Sequence, residues 1–210
     1  MIAFNFMSAE EHRRTAPLVL GFGVVTVSDS RSPANDTSGD AIRNLISSSG
    51  HRIVDSTLVP DDVEAIRAAV RRLLAVPALD VVVTTGGTGF SPRDLTLEAV
   101  TPLLERSLDG FGELFRMLSY QQVGAAAMLS RAAAGLIGTR AVFLLPGSPK
   151  AVALAMEKLI LPEAGHLLGQ ARRGGGAVAV HPEISGPPSE ALTPPAPLSQ
   201  WERGEKDEKL

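Results

Sequence analysis

The stretch VVVTTGGTGFSPRD, residues 81–94, decides the fold. Its first five residues are β-branched without polar alternation, which is typical of a strand buried on both faces of a parallel sheet. The chain then leaves through Gly86, Gly87 and Gly89, residues that accept positive φ and let a ligand approach the backbone. Bare N–H groups in such a turn bind anions, and ligands of open α/β sheets sit at the carboxyl ends of strands. The glycines alone fit a tight turn without a ligand equally well, but the Arg-Asp pair that follows favours a site.

Strand and helix patterns alternate around this stretch from about residue 18 onward. The strand patterns occupy 18–28, 51–59, 81–85 and the two halves of GLIGTRAVFLLPG at 135–147, which a Gly-Thr turn separates. The helical patterns occupy 40–50, 60–74, a segment from Thr96, 111–124, 125–135, and 149–173 with a break at Pro162. The alternation predicts a three-layer αβα sandwich with a mostly parallel central sheet, and the Gly-Thr turn allows one strand to run antiparallel.

Two helix starts carry polar residues of the kind that cap helices. Asp61, with Glu64 three residues later, resembles a capping box. Thr96 is in a position to cap the helix that follows the glycines.

Composition predicts one folded domain with an extension at each end. We expect an N-terminal extension at 1–16, an α/β domain at 17–173 and a proline-rich, charged tail at 174–210. The tail has too few apolar residues to fold alone, although Trp201 is a candidate docking point. The first six residues differ from the rest, so Met7 is an alternative start.

Several classes of protein are disfavoured by composition. A net charge of −3 gives no general attraction to nucleic acid or to an anionic membrane, and no apolar run is long enough to span a bilayer. Cysteine is absent, which excludes disulfides, thiolate nucleophiles and cysteine-held zinc. The four histidines are scattered and suggest no metal site. We expect a cytoplasmic protein.

Carboxylates at strand ends are the remaining chemical signal, because no P-loop, dinucleotide fingerprint or nucleophile elbow is present. Asp29 follows the first predicted strand, Asp61 the second, and Asp94 the glycine loop after the third. In a parallel sheet all three converge on one edge. Oxygen ligands beside a phosphate-binding loop suit Mg²⁺, which keeps several waters and bridges substrate phosphates. The alternative is that each aspartate caps a helix or turn.

Four motifs occur in the order and spacing of a known family. They are TTGGTGFSPRDLTLEA, GFGELFRMLS, LSRAAAG and LPGSPKAV, within residues 17–172. The chain resembles the molybdenum-cofactor biosynthesis family, which includes MogA, MoaB and the corresponding domains of gephyrin and its plant counterpart. SRSPANDTSGDAIRNL and GFGELFRMLSYQQVG are most similar to the MoaB branch.

The resemblance implies an activity. Active members bind molybdopterin in an α/β domain that assembles as a trimer or a dimer of trimers. They transfer AMP from Mg·ATP to the terminal phosphate of molybdopterin and release pyrophosphate, before a partner protein inserts molybdate. They carry aspartates at the positions of Asp61 and Asp94, which we assign as Mg²⁺ ligands or orienters of metal-bound water. Some MoaB-branch proteins lack one of the two, so a binding-only protein is the alternative, and a gephyrin-like scaffold is a third.

The remaining candidate residues are expected to contact substrate. Gly86, Gly87, Thr88 and Gly89 would offer N–H groups and a hydroxyl to phosphate, and Ser28 and Asp29 would line the nucleotide side. Two more groups lie elsewhere in the motifs: Gly147, Ser148 and Lys150 at a helix start, and Glu113 as an acceptor for the pterin amine. Glu113 is equally compatible with an ordinary first-turn glutamate, and Arg93 with either a phosphate contact or a surface salt bridge.

Overall fold

A six-stranded sheet forms the centre of the computed structural model, which describes residues 19–173. The predicted extension at 1–16 and tail at 174–210, with Met7 and Trp201, lie outside the described residues. The strands are β1 (Gly21–Val27), β2 (Arg52–Val59), β3 (Val81–Thr85), β4 (Arg106–Ser107), β5 (Ala133–Ile137) and β6 (Arg140–Leu145).

The sheet is mostly parallel, as the sequence predicts. Its strand order is β2-β1-β3-β6-β5-β4. β1 runs parallel to β2 and β3, β3 runs parallel to β6, and β5 is antiparallel to both of its neighbours. The turn between β5 and β6 contains Gly138 at φ +58°, so the Gly-Thr turn does reverse the chain. The chain moves from β1 to β2 on one side and to β3 on the other, which creates a topological switch point between β1 and β3.

Helices cover both faces of this sheet. They are α1 (Thr37–Ser48), α2 (Val63–Leu74), α3 (Thr96–Val100), α4 (Asp109–Val123), α5 (Pro149–Ala155) and α6 (Leu161–Ala171). α1, α4, α5 and α6 share one core cluster with alternate residues of the strands, including Phe22, Val83 and Phe143. α2 packs on the other face against β1, β2 and β3, and α3 packs beside α2. These three layers confirm the predicted sandwich. Within the described range, no helix is long and apolar enough to cross a membrane.

The last helical segment changes its winding where proline predicts a break. α5 passes into a π-helical turn, Met156–Ile160, before α6 begins with Pro162 in its first turn. Pro162 has no N–H and cannot donate a hydrogen bond to the preceding turn of an α-helix. The wider π-helical turn accommodates this missing donor. The segment remains buried through Met156 and Ile160.

Two capping predictions and one helix prediction are wrong. Asp62, not Asp61, caps α2, with its side chain accepting from the Ala65 N–H at 2.8 Å. Thr96 lies inside α3, and its hydroxyl donates to the Gly86 carbonyl instead of capping. The segment 125–135 is not one helix, because a 3₁₀ helix, Gly124–Leu129, gives way to β5. Its alanines carry helical propensity, but pairing with β6 overrides it.

Candidate functional site

The glycine loop leaves β3 beside the end of β1, at the switch point of the sheet. The Gly86 N–H donates to the Leu145 carbonyl at 3.1 Å, which ties the loop to β6. On the other side, the Ser28 N–H donates to the Val59 carbonyl at 2.9 Å, which ties the end of β1 to β2. Four strand ends therefore meet around one depression, the place where open α/β sheets bind ligands.

Three successive carbonyl groups of the loop each accept a hydrogen bond. The Gly86 carbonyl accepts from the Thr96 hydroxyl at 2.7 Å, and the Gly87 carbonyl accepts from the Thr96 N–H at 2.9 Å. The Thr88 carbonyl accepts from Nε of Arg131 at 2.9 Å. In a planar trans peptide, the N–H of one residue points opposite to the C=O of the residue before it. The N–H group that follows each of these three carbonyls therefore points away from the donor that holds the carbonyl.

Those N–H groups belong to Gly87, Thr88 and Gly89. They donate to no acceptor among the described residues. Successive unused N–H groups form a concavity that binds anions.

The glycines are required for two different reasons. Gly86 has φ +96° and Gly87 has φ +61°, a region that side chains rarely adopt. A Cβ on Gly87 would also collide with Oδ1 of Asp61 and lie 2.5 Å from Oγ1 of Thr96. Gly89 does not have positive φ, contrary to expectation, but a Cβ there would lie 2.7 Å from the Asp94 carboxylate. The loop is thus packed directly against the two aspartates that the sequence singles out.

Asp61 is a half-buried carboxylate with an oxygen that no group among residues 19–173 satisfies. Its Oδ1 atom is buried and has no hydrogen-bond partner in the described part of the chain. Burial raises the pKa of Asp61, and the carboxylates of Asp29 and Asp94 raise it further. Buried polar atoms are normally hydrogen-bonded, so an orphaned carboxylate oxygen beside two other acids indicates a place for a cation.

Asp29 and Asp94 lie around Asp61 as the convergence prediction requires. Oδ1 of Asp29 accepts from the Asp61 N–H at 3.1 Å, and Oδ2 of Asp94 accepts from the Ser91 N–H at 2.8 Å. Arg93 is 82% exposed and lies 3.7 Å from Asp29. This geometry is compatible with a surface salt bridge, and a contact of Arg93 with phosphate stays a prediction.

Two cavities open on the glycine loop and share Gly86, Gly87 and Gly147. The first has a volume of about 190 Å³ and is lined also by Thr26, Val27, Ser28, Arg31, Ser38, Asp61 and Thr85. The second has a volume of about 330 Å³ and is lined also by Thr88, Gly89, Asp94, Leu129, Ser130, Arg131 and Pro146. Each cavity therefore contains one of the two predicted catalytic aspartates and one arginine.

Arg31 and Ser38 line the first cavity and were missed by the sequence reasoning. Arg31 donates to the Ser38 hydroxyl at 3.1 Å and to the Gly147 carbonyl at 3.3 Å. Ser38 donates to the same carbonyl at 2.6 Å. Buried Asp36 lies 3.8 Å from Arg31 and accepts from Thr26 and from the Gly39 N–H. The sequence did contain a signal for Arg31, because the segment SDSRS, residues 28–32, directly follows β1 and places a cation at a strand end.

The other predicted residues lie outside the two cavity linings. Ser148 and Lys150 are exposed at the start of α5, next to Gly147. Glu113 is exposed on α4, and none of its described contacts joins it to the glycine loop. Their expected roles toward substrate stay predictions.

The residues present fit a magnesium ion that takes part of its coordination from substrate. Among residues 19–173, no group of three acidic or histidine side chains is close enough to enclose a metal ion. The orphaned Oδ1 of Asp61 is nevertheless a free ligand atom. Mg²⁺ typically binds through one or two carboxylates plus waters and phosphate oxygens, which is what this donor set can offer.

Fold and site together define an α/β domain that presents carboxylates and unused N–H groups at a sheet switch point. The family model described as "Probable molybdopterin binding domain" matches residues 23–166. Molybdenum cofactor biosynthesis protein B of Bacillus cereus is 48% identical over 162 residues, covering 77% of this chain and 96% of the relative. The Bacillus subtilis protein of that name is 44% identical over 168 residues, covering 80% and 99%.

Solved structures agree with the sequence relatives. The crystal structure of a molybdenum cofactor biosynthesis protein B has a TM-score of 0.73 at 47% identity, covering 75% of this chain and 99% of that chain. The tungsten cofactor synthesizing protein MoaB from Pyrococcus furiosus has a TM-score of 0.68 at 42% identity, with coverage of 75% and 99%. The chain belongs to the MoaB family of molybdenum cofactor biosynthesis proteins, which confirms the resemblance seen in its motifs.

Proposed function

We propose that the protein is a molybdopterin adenylyltransferase that acts ahead of metal insertion into the cofactor. An oxygen of the terminal phosphate of molybdopterin attacks the α-phosphorus of ATP. The bond from that phosphorus to the oxygen bridging to the β-phosphorus breaks, and pyrophosphate leaves with the electron pair. The phosphate monoester is already a nucleophile, so the chain needs no serine or cysteine nucleophile. Its contribution is to position the reactants and to stabilise charge.

The observation that carries this proposal is the orphaned Oδ1 of Asp61 beside the unused N–H groups of the glycine loop. An acidic oxygen without a partner favours a cation, and bare N–H groups favour phosphate. A magnesium-bound polyphosphate brings both to one place. A protein that only held the pterin would have less use for a carboxylate whose charged form is destabilised by burial and by Asp29 and Asp94.

Residues of the chain have distinct roles in this mechanism. The N–H groups of Gly87, Thr88 and Gly89 donate to substrate phosphate oxygens and hold them still during in-line attack. Asp61 and Asp94 would hold Mg²⁺ through their carboxylate oxygens. The ion, when bound, neutralises charge developing on the transferring phosphoryl group. Arg31 lies in the first cavity as a cation able to contact phosphate, and Ser28 lines the same cavity. Ser28 and Asp29, which follows it directly, are expected on the nucleotide side.

The direct test is to incubate the protein with molybdopterin and Mg·ATP and to measure adenylated pterin by mass spectrometry and pyrophosphate by a coupled assay. Asp94→Ala should lower the rate by about a hundredfold or more, as loss of charge stabilisation does, while molybdopterin binding survives. Asp62→Ala is the matched control, since it removes a neighbouring acid that only caps α2 and should leave the rate unchanged. Molybdopterin binding without adenylated product would establish the binding-only alternative.

Assembly belongs to the same proposal. Apolar side chains are exposed on α4 and the 3₁₀ helix after it: Leu114, Met117, Tyr120, Val123, Met128 and Leu129. Exposed apolar side chains on two consecutive helices support an interface, and the resemblance implies a homotrimer or a dimer of trimers. Light scattering should give the mass of three or six chains, and a monomer at assay concentration would contradict the proposal. A molybdate-insertion protein is the further partner expected of this pathway step.

A further inference from the structure

Arg131 contacts two backbone carbonyl groups, one in the glycine loop and one just after it. Its Nε donates to the Thr88 carbonyl at 2.9 Å, and its Nη2 donates to the Asp94 carbonyl at 3.4 Å. Its Nη1 pairs with Glu98 at 2.7 Å, and its guanidinium lies 5.2 Å from the ring centre of Phe90. Carbonyl, carboxylate and aromatic contacts together fix the plane of the guanidinium.

The peptide between Thr88 and Gly89 depends on this contact. Thr96 donates to the carbonyls of Gly86 and Gly87, so those two peptides are held by α3. Within residues 19–173, the Thr88 carbonyl accepts only from Arg131. Without that donor the peptide would be free to rotate. Its N–H would then lose its fixed direction, because C=O and N–H turn as one planar unit.

We infer that Arg131 is a positioning residue, which aims the Gly89 N–H at substrate phosphate and keeps Asp94 in place beside the loop by holding the carbonyl oxygens of Thr88 and Asp94. Arg131 need not touch the reacting atoms. Glu98 balances its charge, and the same contact lowers the pKa of Glu98. Its effect on turnover rests on the proposed function, whereas its effect on the orientation of the loop does not.

The chain offers a matched control arginine outside both cavity linings. Nε of Arg67 donates to the Ala99 carbonyl at 3.0 Å, and its Nη1 pairs with Glu64 at 3.1 Å. Its side chain is 27% exposed, against 24% for Arg131. Arg67→Met therefore removes a carbonyl contact and an ion pair of the same kind, without touching the glycine loop.

The experiment compares Arg131→Met, Arg131→Lys and Arg67→Met in three measurements. They are ¹⁵N relaxation of the Gly89 amide, pyrophosphate affinity in the presence of Mg²⁺, and steady-state turnover, with thermal unfolding as a check on folding. In Arg131→Met we expect a more mobile Gly89 amide, weaker pyrophosphate binding and a kcat lower by about a hundredfold, as for a misplaced catalytic group. KM for Mg·ATP should change less. Arg131→Lys should recover the melting temperature but not the kcat, since an ammonium cannot hold two carbonyls with one planar fork.

Three results would overturn the inference. The first is an unchanged Gly89 amide and pyrophosphate affinity in Arg131→Met, and the second is an equal loss in Arg67→Met. The third is full recovery in Arg131→Lys, which would assign the effect to charge alone. If Arg131→Met does not fold, the same measurements are compared between Arg131→Lys and Arg67→Met. If the wild-type protein makes no adenylated pterin while Gly89 still loosens only in the Arg131 variants, the proposed function fails and the positioning role stands.

Discussion

Two half-buried aspartates at opposite ends of the sheet have opposite surroundings. Asp80 precedes β3 at the amino end, where Oδ2 accepts from the Gly21 N–H at 2.7 Å and Oδ1 pairs with Arg172 at 2.5 Å. Asp61 follows β2 at the carboxyl end, where Oδ1 has no described partner and the nearest charged neighbours include two more acids. The same side chain is paired at one end of the sheet, whereas at the other end it has a buried oxygen without a described partner.

Under the proposed function, this difference distinguishes a structural carboxylate, Asp80, from a ligand-binding one, Asp61. A paired acid ties a strand to a helix and contributes to stability. A carboxylate that lies close to other carboxylates destabilises the folded chain by charge repulsion. Such a position is characteristic of binding sites. The comparison therefore predicts that substitutions at the two ends affect different quantities.

The largest effect is expected from Asp61→Asn. The substitution keeps the shape and removes the charge, so adenylyl transfer should fall by about a hundredfold or more. Stability should stay the same or rise, because an unfavourable charge is lost. Rate assays and urea unfolding measure the two quantities. Mg²⁺ should raise the unfolding midpoint of the wild type but not of the variant. A variant with normal turnover would remove Asp61 from the site.

Gly87→Ala and Gly87→Val come next. Either side chain is strained at positive φ, at a cost of about 1–3 kcal/mol, and either would crowd Asp61 and Thr96. We expect molybdopterin and nucleotide affinity to fall steeply in both variants while they remain folded.

Gly50→Ala separates strain from obstruction. Gly50 has φ +78° with open space around it, so this control carries similar strain at the end of α1 and should bind normally. Calorimetric titration and unfolding are measured on all three variants. Affinity that follows only the folded fraction would mean that the glycines serve the turn alone.

Asp80→Asn should lower stability by about 1 kcal/mol, the upper range for a partly exposed ion pair. Turnover per folded molecule should not change, since Asp80 lies at the other end of the sheet. Urea unfolding and rate assays on the same preparation test this. A loss of rate without a loss of stability would contradict the division between the two ends.

The smallest effect concerns pH. The pKa of Asp61 is raised in the folded state, first by burial and then by Asp29 and Asp94. The folded chain thus binds this proton more tightly than the unfolded chain. The destabilisation by Asp61 is present at neutral pH and is relieved as pH falls through the raised folded value. The stability gain of Asp61→Asn over the wild type should therefore shrink on acidification. A pH-independent difference would show that Asp61 is not perturbed.

The sequence by itself predicted five of the six strands and the sheet edge at which the candidate site lies, but it missed the short strand β4, Arg106–Ser107. β-Branched runs, helical periodicity and glycines at a strand end are local signals, and they predicted three layers and the convergence of Asp29, Asp61 and Asp94. Local capping signals were less decisive. Asp61 and Asp62 are adjacent carboxylates, and only the direction in which the chain enters α2 decides which one meets the Ala65 N–H.

Tertiary structure alone decided which distant groups complete the loop. Arg131 is 43 residues from Thr88, and Arg31 is 116 residues from Gly147, so no sequence spacing relates them. Thr96 likewise became a donor to the Gly86 carbonyl instead of a cap. The physical reason is that every buried carbonyl needs a donor, but which donor reaches it depends on how the strands and helices pack.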